Sequence, residues 1–326
     1  MRAPLVRVGC LLSLLIASSA SAVSMAWTPI GIPGNACDSQ PQGCFGTVGY
    51  AYSIGTYDVT NAQYAEFLNA KAASDPLGLY NTNMANSGLM GGITRTGVSG
   101  IYSYSAIASR GDMPVNFVSF YDALRFANWM NNGQGSGDTE TGSYTLFGGT
   151  ATPSNGTVVP RNDGATIVLT SENEWYKAAY YNPLGASYFD YPMGSDALPN
   201  CSAPTATANS ANCLNAAGDF TNRGSYTGSA SPLGTFDQGG NAWEWNEAII
   251  PDGYRLMRGG ATGYAEINLK ASERTFYEYP SDGRETFGFR LAMIPGGYVG
   301  GVVPEPSTGV LVIAGLLGLA GWRRRA

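Results

Sequence analysis

The run Gly239-Gly240-Asn241-Ala242-Trp243-Glu244-Trp245 constrains this chain more tightly than any other stretch. Paired glycines open backbone conformations that a Cβ obstructs, and the alternation Trp243, Glu244, Trp245 sets both indoles on one face of an extended segment. A rigid turn thus feeds a strand with an aromatic face. Asp237, just upstream, and Glu244 bring carboxylates to the two ends of the turn. The carbonyls between them have no helix or ladder to bond, and a hard cation such as Ca²⁺ is one way to satisfy them. The competing account needs no ion: the indoles pack in the core, Glu244 pairs with an arginine such as Arg290, and Asp237 caps the turn.

What chemistry the chain can perform is narrowed by the absence of histidine from all 326 residues. Ser-His-Asp and Cys-His nucleophile systems, His-ligated zinc and the two-His-one-carboxylate iron site are excluded. The net charge of −6, with no basic patch outside the termini, gives nucleic-acid binding no electrostatic support. The 44 glycines and only 13% charged residues point to a turn-rich fold rather than a helical bundle. No fixed-period repeat and no shift in composition argues for a second globular domain.

Both ends carry targeting patterns. Residues 1–22 combine Arg2 and Arg7, an apolar run over 8–17 and the small-x-small sequence Ala20-Ser21-Ala22, which is the pattern signal peptidase cuts after. At the other end Pro304-Glu305-Pro306 precedes an apolar run over 309–322 and then Arg323-Arg324-Arg325, the layout of a transmembrane stop-transfer tail whose positive end stays in the cytoplasm. This order resembles the PEP-CTERM sorting signal. The resemblance implies cleavage near Pro304, Glu305 and Pro306 by an exosortase, and release to the cell surface or extracellular matrix of a Gram-negative bacterium. Export removes Cys10 with the signal peptide and leaves Cys37, Cys44, Cys201 and Cys213 in an oxidising compartment. Their spacing favours the pairs Cys37–Cys44 and Cys201–Cys213, with free thiols or a zinc site as the other options.

Within the body, residues 50–59 alternate as a strand does, and Thr60-Asn61-Ala62-Gln63 has the form of a capping box opening a helix to about Ala70. The same device recurs at Ser119-Phe120-Tyr121-Asp122, ahead of Ala123, Leu124, Ala127 and Met130 at helical spacing, and at Ser171-Glu172-Asn173-Glu174, ahead of Trp175, Ala178 and Ala179. Residues 75–112 and 131–165 read as long loops or ribbons, with strand-like pieces at 144–147 and 166–169.

These landmarks carry a resemblance. Asp58-Val59-Thr60-Asn61-Ala62-Gln63-Tyr64 resembles E-V-T-N-x-x-Y, and the segment from Pro114 to Ala123 resembles P-V-x-x-V-S-W-x-D-A. Leu169 to Trp175 resembles L-P-T-E-A-E-W, Gly240 to Trp245 resembles G-N-V-W-E-W, Arg258-Gly259-Gly260 resembles R-G-G-S, and Gly288-Phe289-Arg290 resembles a closing G-F-R. Taken in order, these are the motifs of the formylglycine-generating enzyme, or sulfatase-modifying factor, family. The resemblance implies an α+β, large C-type lectin-like fold, with sparse secondary structure around a small twisted antiparallel sheet, spanning residues 23–297 ahead of a sorting segment at 298–326.

The family's structural calcium would map to Asp237, Gly240, Ala242 and Glu244, and a second calcium site would fall near Asn212 and Asp219. The copper-binding cysteine pair of the oxidising enzyme would fall near Glu266 and Ala271, neither of which is cysteine, and its iron-dependent relatives use histidines. No copper or iron is expected. The expectation is therefore an exported, surface-sorted domain that lacks the family's catalytic pair and acts as a ligand-binding or structural module toward a surface glycan or protein. The alternative is an oxidoreductase of the formylglycine-generating type, acting on protein cysteine through a different site. Among other candidates, Glu172 and Glu174 read as an acid/base pair or as helix-start carboxylates, and Asp138 and Glu140 as solvated loop charges. Arg258, Arg274 and Arg290 either line a substrate groove or hold glycine-rich loops by donating to carbonyls.

Overall fold

A computed structural model describes residues 22–300. All three sequence-marked helices form, and each begins at its capping box: α1 at Asn61–Lys71, α2 at Phe120–Asn131 and α3 at Glu172–Tyr180. In each box the cap hydroxyl accepts from the backbone N–H three residues on, while the side chain there accepts from the cap N–H. For Ser171 and Glu174 the two bonds measure 3.2 and 2.8 Å. Reciprocal capping of this kind fixes where a helix starts, which explains why the starts were legible. Helix α2 is buried from Phe120 to Met130 and forms the centre of the molecule.

Two four-stranded sheets flank it. In the first, Trp27–Ile30, Tyr52–Gly55, Leu291–Met293 and Ile167–Leu169 lie side by side, antiparallel throughout. In the second the order is Tyr277–Glu278, Tyr254–Arg258, Trp243–Ile250, Phe287–Phe289, and its last pair is parallel. The expected α+β fold with sparse secondary structure is present; among the described residues its two largest sheets are four-stranded, one antiparallel and one mixed, and four further sheets have two strands each. Arg290 is the single residue between Phe287–Phe289 and Leu291–Met293, so it joins the sheets covalently. The strand-like piece at 144–147 contributes only an isolated bridge, between Tyr144 and Arg161.

Aromatic rings fill the space between α1, α2 and the sheets. Phe126 meets Phe67, Tyr64 and Phe289 with centroids 5.3, 5.9 and 5.5 Å apart. Such contacts add stability beyond the area they bury. Outside this core the backbone is largely turns, as the glycine content requires.

Both expected disulfides are present. Cys37–Cys44 closes the hairpin formed by Asp38–Gln40 and Gly43–Phe45, and Cys201–Cys213 closes a loop of sequence separation 12. Each shortens the unfolded chain's freedom by about 2–3 kcal/mol in the chain-entropy account. Reduction should therefore lower the melting temperature measurably, and non-reducing peptide maps should show these two pairs. Free thiols in the exported protein would refute the assignment.

Candidate functional site

The Trp243–Ile250 strand divides its neighbours as the alternation requires. On one face Trp243 stacks on Phe276, with centroids 4.2 Å apart and planes 4° from parallel, and Trp245 meets Phe287 edge-on at 5.4 Å. Trp245 Nε1 donates to the Val118 carbonyl at 3.0 Å. On the other face Glu244 is wholly buried. Its Oε2 accepts from Arg290 Nε at 2.5 Å and from Trp175 Nε1 at 2.8 Å, while Oε1 accepts from Arg290 Nη2 at 2.7 Å. A bidentate, fully buried Arg–carboxylate pair is the strong kind of charge-assisted contact.

Arg290 does more than hold Glu244. Nη1 donates to the Gly55 carbonyl at 3.0 Å and Nη2 to the Phe236 carbonyl at 3.1 Å, and Asp58 lies 3.4 Å away. Of the two roles expected for the arginines, Arg290 and Arg258 take the loop-holding one. Arg258 donates to the Ala271 and Glu273 carbonyls at 2.8 and 2.5 Å. Glu172 pairs with both Arg258 and Arg274, at 2.5 and 2.9 Å, and Glu174 pairs with Arg161 at 2.7 Å while completing its cap. Burial works to raise both carboxyls, but the arginines outweigh it and hold them below the usual carboxylate range. They are committed ion-pair partners rather than an acid/base pair. Glu140 is not a free loop charge either, since it accepts from Arg125 Nε at 2.7 Å.

The turn before the strand is held from both sides. Gly240 sits at φ +81° and donates to the Gly259 carbonyl at 2.8 Å, and Asn241 donates to the Asn212 carbonyl at 3.0 Å. Asn212 Nδ2 donates to the Asn241 side chain at 3.0 Å and to the Asp219 carbonyl at 2.9 Å, while the Asp219 carboxylate pairs with Arg110 at 2.6 Å. Asp237 accepts from the Gly224 N–H at 2.7 Å, and burial pushes its carboxyl up to about 6. Asp58, which the sequence did not flag as a partner, is raised further by burial and then by Glu244, and its Oδ2 has no hydrogen-bond partner among the described residues. Asp58 and Glu244 thus share the Arg290 guanidinium, while Asp237 lies outside ion-pair distance and feels only its charge. Among the described residues no group of three or more acidic, cysteine or histidine side chains is set to hold a metal ion; of the expected calcium donors Glu244 is engaged by Arg290 and Trp175, as the ion-free account expects, while Asp237 keeps one carboxylate oxygen without a protein donor.

The indole face leads to the surface. Beside Trp243 and Phe276 opens a cleft of about 510 Å³ whose floor includes Phe276, Phe287, Tyr264 and Phe117, with Glu278 and Arg284 on its rim. Phe117 holds φ at 57°, a conformation a bulky residue adopts only when its surroundings impose it. Glu266 and Ala271 do not line the cleft. Ala271 is buried at 1% exposure. Sequence reasoning missed the cleft because its walls come from separate loops. The one available signal was the aromatic spacing of Phe276 and Phe287 around the closing motif.

Residues 45–294 match the sulfatase-modifying factor enzyme 1-like domain, and residues 302–325 match the PEP-CTERM protein-sorting motif. The chain belongs to the sulfatase-modifying factor family. Its α+β, C-type lectin-like fold is shared by solved structures at low identity. CarF is 19% identical over 84% of this chain and 99% of its own, with a TM-score of 0.56. Variable protein 1 of Treponema denticola is 16% identical over 85% of this chain and 98% of its own, with a TM-score of 0.51. A search of curated proteins finds no match. The chain also carries a sorting motif of the kind recognised by exosortase-type enzymes, which supports export and surface sorting. Pro304, Glu305, Pro306 and the apolar run behind them lie outside the described residues, as do residues 1–21 of the expected signal peptide. Among the described residues no helix is long and apolar enough to cross a membrane.

Proposed function

We propose that this surface-sorted member of the family is a binding module that takes a glycan or protein ligand in its aromatic cleft, and does not oxidise cysteine. The cleft beside Trp243 carries the reading, because a concave, aromatic-floored site with a few polar groups on its rim is what ligand recognition requires. Support comes from the cysteines: all those in residues 22–300 are taken up in the two disulfides, so no thiolate stands ready for soft copper. Arrays of glycans and surface proteins test it, comparing the mature protein with Arg284→Ala, whose melting temperature should stay close to the parent's, and Tyr264→Ala, which should stay folded with a modest fall from its lost contacts to Trp243 and Phe276. Ligand capture equal in all three would remove the cleft from this role.

Sorting by an exosortase implies a processed product. Mass spectrometry of the surface protein should find an N-terminus near Val23 and a new C-terminus near Pro304–Pro306. An intact Arg325-Ala326 end recovered from the cell surface would show that sorting proceeds otherwise.

In the same reading Asp237 and Glu244, with the carbonyls of Gly240 and Ala242, hold a structural calcium ion. The ion would add positive charge beside Glu244 and Asp237, the second of which burial otherwise pushes up. Because it binds the folded state, it should raise stability by about 2.7 kcal/mol at a hundredfold excess over Kd. Thermal melts in calcium and in chelator check this, with Asp237→Ala expected to abolish the difference. A melting temperature indifferent to calcium would leave Arg290 as the sole counter-charge.

A further inference from the structure

Next to the aromatic cleft lies a second, smaller cavity of about 130 Å³, at the N-terminal end of α2. Phe117 and Gly283 line both spaces, so the two adjoin, and the smaller is termed the inner cavity. A side chain at 283 has no room, since a Cβ there would stand 2.5 Å from the Phe117 carbonyl oxygen. The inner space differs in character from the cleft: its walls present Asn81, Ser119, Asp122, Thr152 and Ser281. At that size it has room for several waters.

Asp122 is the residue that sets this cavity apart. Only 7% of it is exposed. Its Oδ2 accepts from the Ser119 N–H at 2.9 Å and from the Ser119 hydroxyl at 2.7 Å, completing the cap of α2. No donor among the described residues reaches Oδ1. Asn81 uses its side-chain oxygen to accept from the Asn83 N–H, leaving its NH₂ as a donor, and the hydroxyls of Thr152 and Ser281 are without protein partners among the described residues. Burial pushes the Asp122 carboxyl up to about 6. The helix dipole favours a carboxylate at this position and the cap uses one of its oxygens, which leaves Oδ1 free to accept from a ligand.

We infer that the inner cavity binds one sugar ring of the cleft's ligand, with Asp122 Oδ1 accepting its hydroxyls and the aromatic floor stacking the next ring. This rests on the binding role proposed for the cleft and names its ligand class. Sugar hydroxyls both donate and accept, which matches a wall that offers a carboxylate acceptor together with amide and hydroxyl donors. An ammonium group, with donors only, would satisfy Asp122 and leave the Asn81 amide facing another donor. Aromatic rings take the apolar faces of sugars without needing charge, and no free cation lines the inner cavity to attract an anionic ligand.

The test titrates the mature protein with the methyl glycosides of glucose, galactose, mannose and N-acetylglucosamine, and with a lysine-rich peptide. Asp122→Asn and Tyr264→Ala are run beside the parent, with melting temperatures recorded for each. At least one glycoside should bind the parent and bind Asp122→Asn about tenfold or more weakly, as expected for loss of a hydrogen bond to a charged acceptor, while the variant stays folded. Glycoside binding undiminished by Asp122→Asn overturns the inference, and so does peptide binding that depends on Asp122 with no glycoside bound. If array ligands are lost with Tyr264→Ala while no glycoside binds or competes, the cleft keeps its role and the sugar assignment fails. If neither variant alters any binding, both readings fail together.

Discussion

Replacing Arg290 with methionine should leave the domain unfolded, or melting at least about 10 °C below the parent. Methionine keeps much of the apolar stem, so the loss is electrostatic and directional. Glu244 and Asp58 would remain buried with no counter-charge, and the carbonyls of Gly55 and Phe236 would lose their donor. Removing one partner of a buried ion pair costs about 3–5 kcal/mol, and each kilocalorie moves the melting point of a domain of this size by about 2–4 °C. Arg290→Lys should recover only a small part, because one ammonium cannot form the fork to Glu244 and reach two carbonyls on opposite sides. Circular-dichroism melts of the exported variants decide it. A change of less than about 2 °C for the methionine variant would mean that the carboxylates are neutralised by something other than this arginine.

Gly240→Ala should be almost as damaging, for a different reason. Its φ of +81° is strained for any residue with a Cβ, and the new methyl would stand 2.3 Å from the Asn212 carbonyl oxygen. Left-handed strain and overpacking against backbone together amount to about 3 kcal/mol. The clash cannot be relieved by a rotamer change, since its partner is main chain that also accepts the Asn241 N–H. Gly263→Ala makes a suitable control, because nothing lies within 4 Å of a Cβ built there. Equal melting temperatures for the two variants would show that the turn can open without loss.

Both residues sit in stretches whose importance was readable in advance, and the reason is local. The Trp-Glu-Trp alternation and the three capping boxes express rules that act over a few positions, and the structure follows them closely. The disulfides were legible because spacing and compartment leave few ways to pair. What the sequence did not disclose lies between distant segments. Nothing near Asp58 indicates that it meets Arg290, and nothing in Glu140 marks it as a partner of Arg125. The parallel pairing in the second sheet leaves no local sign, having no hairpin turn to announce it. The cleft was missed because rings from separate loops converge on it, and convergence leaves no periodic trace.

The position of Leu291–Met293 bears on how the protein is made. This strand comes last in the described chain, yet it lies inside the first sheet, bonded on one side to Tyr52–Gly55 and on the other to Ile167–Leu169. An exported chain emerges with its N-terminal part first. Until residues beyond 290 have crossed, the two earlier strands face a gap with open edges, and such edges are templates for aggregation and openings for proteases. The long sequence separation of these pairings also makes their closure slow. Maturation is thus gated by the arrival of the chain's own far end. A translocation stall anywhere before Arg290 would strand the whole domain as a protease substrate, however well its helices had already formed.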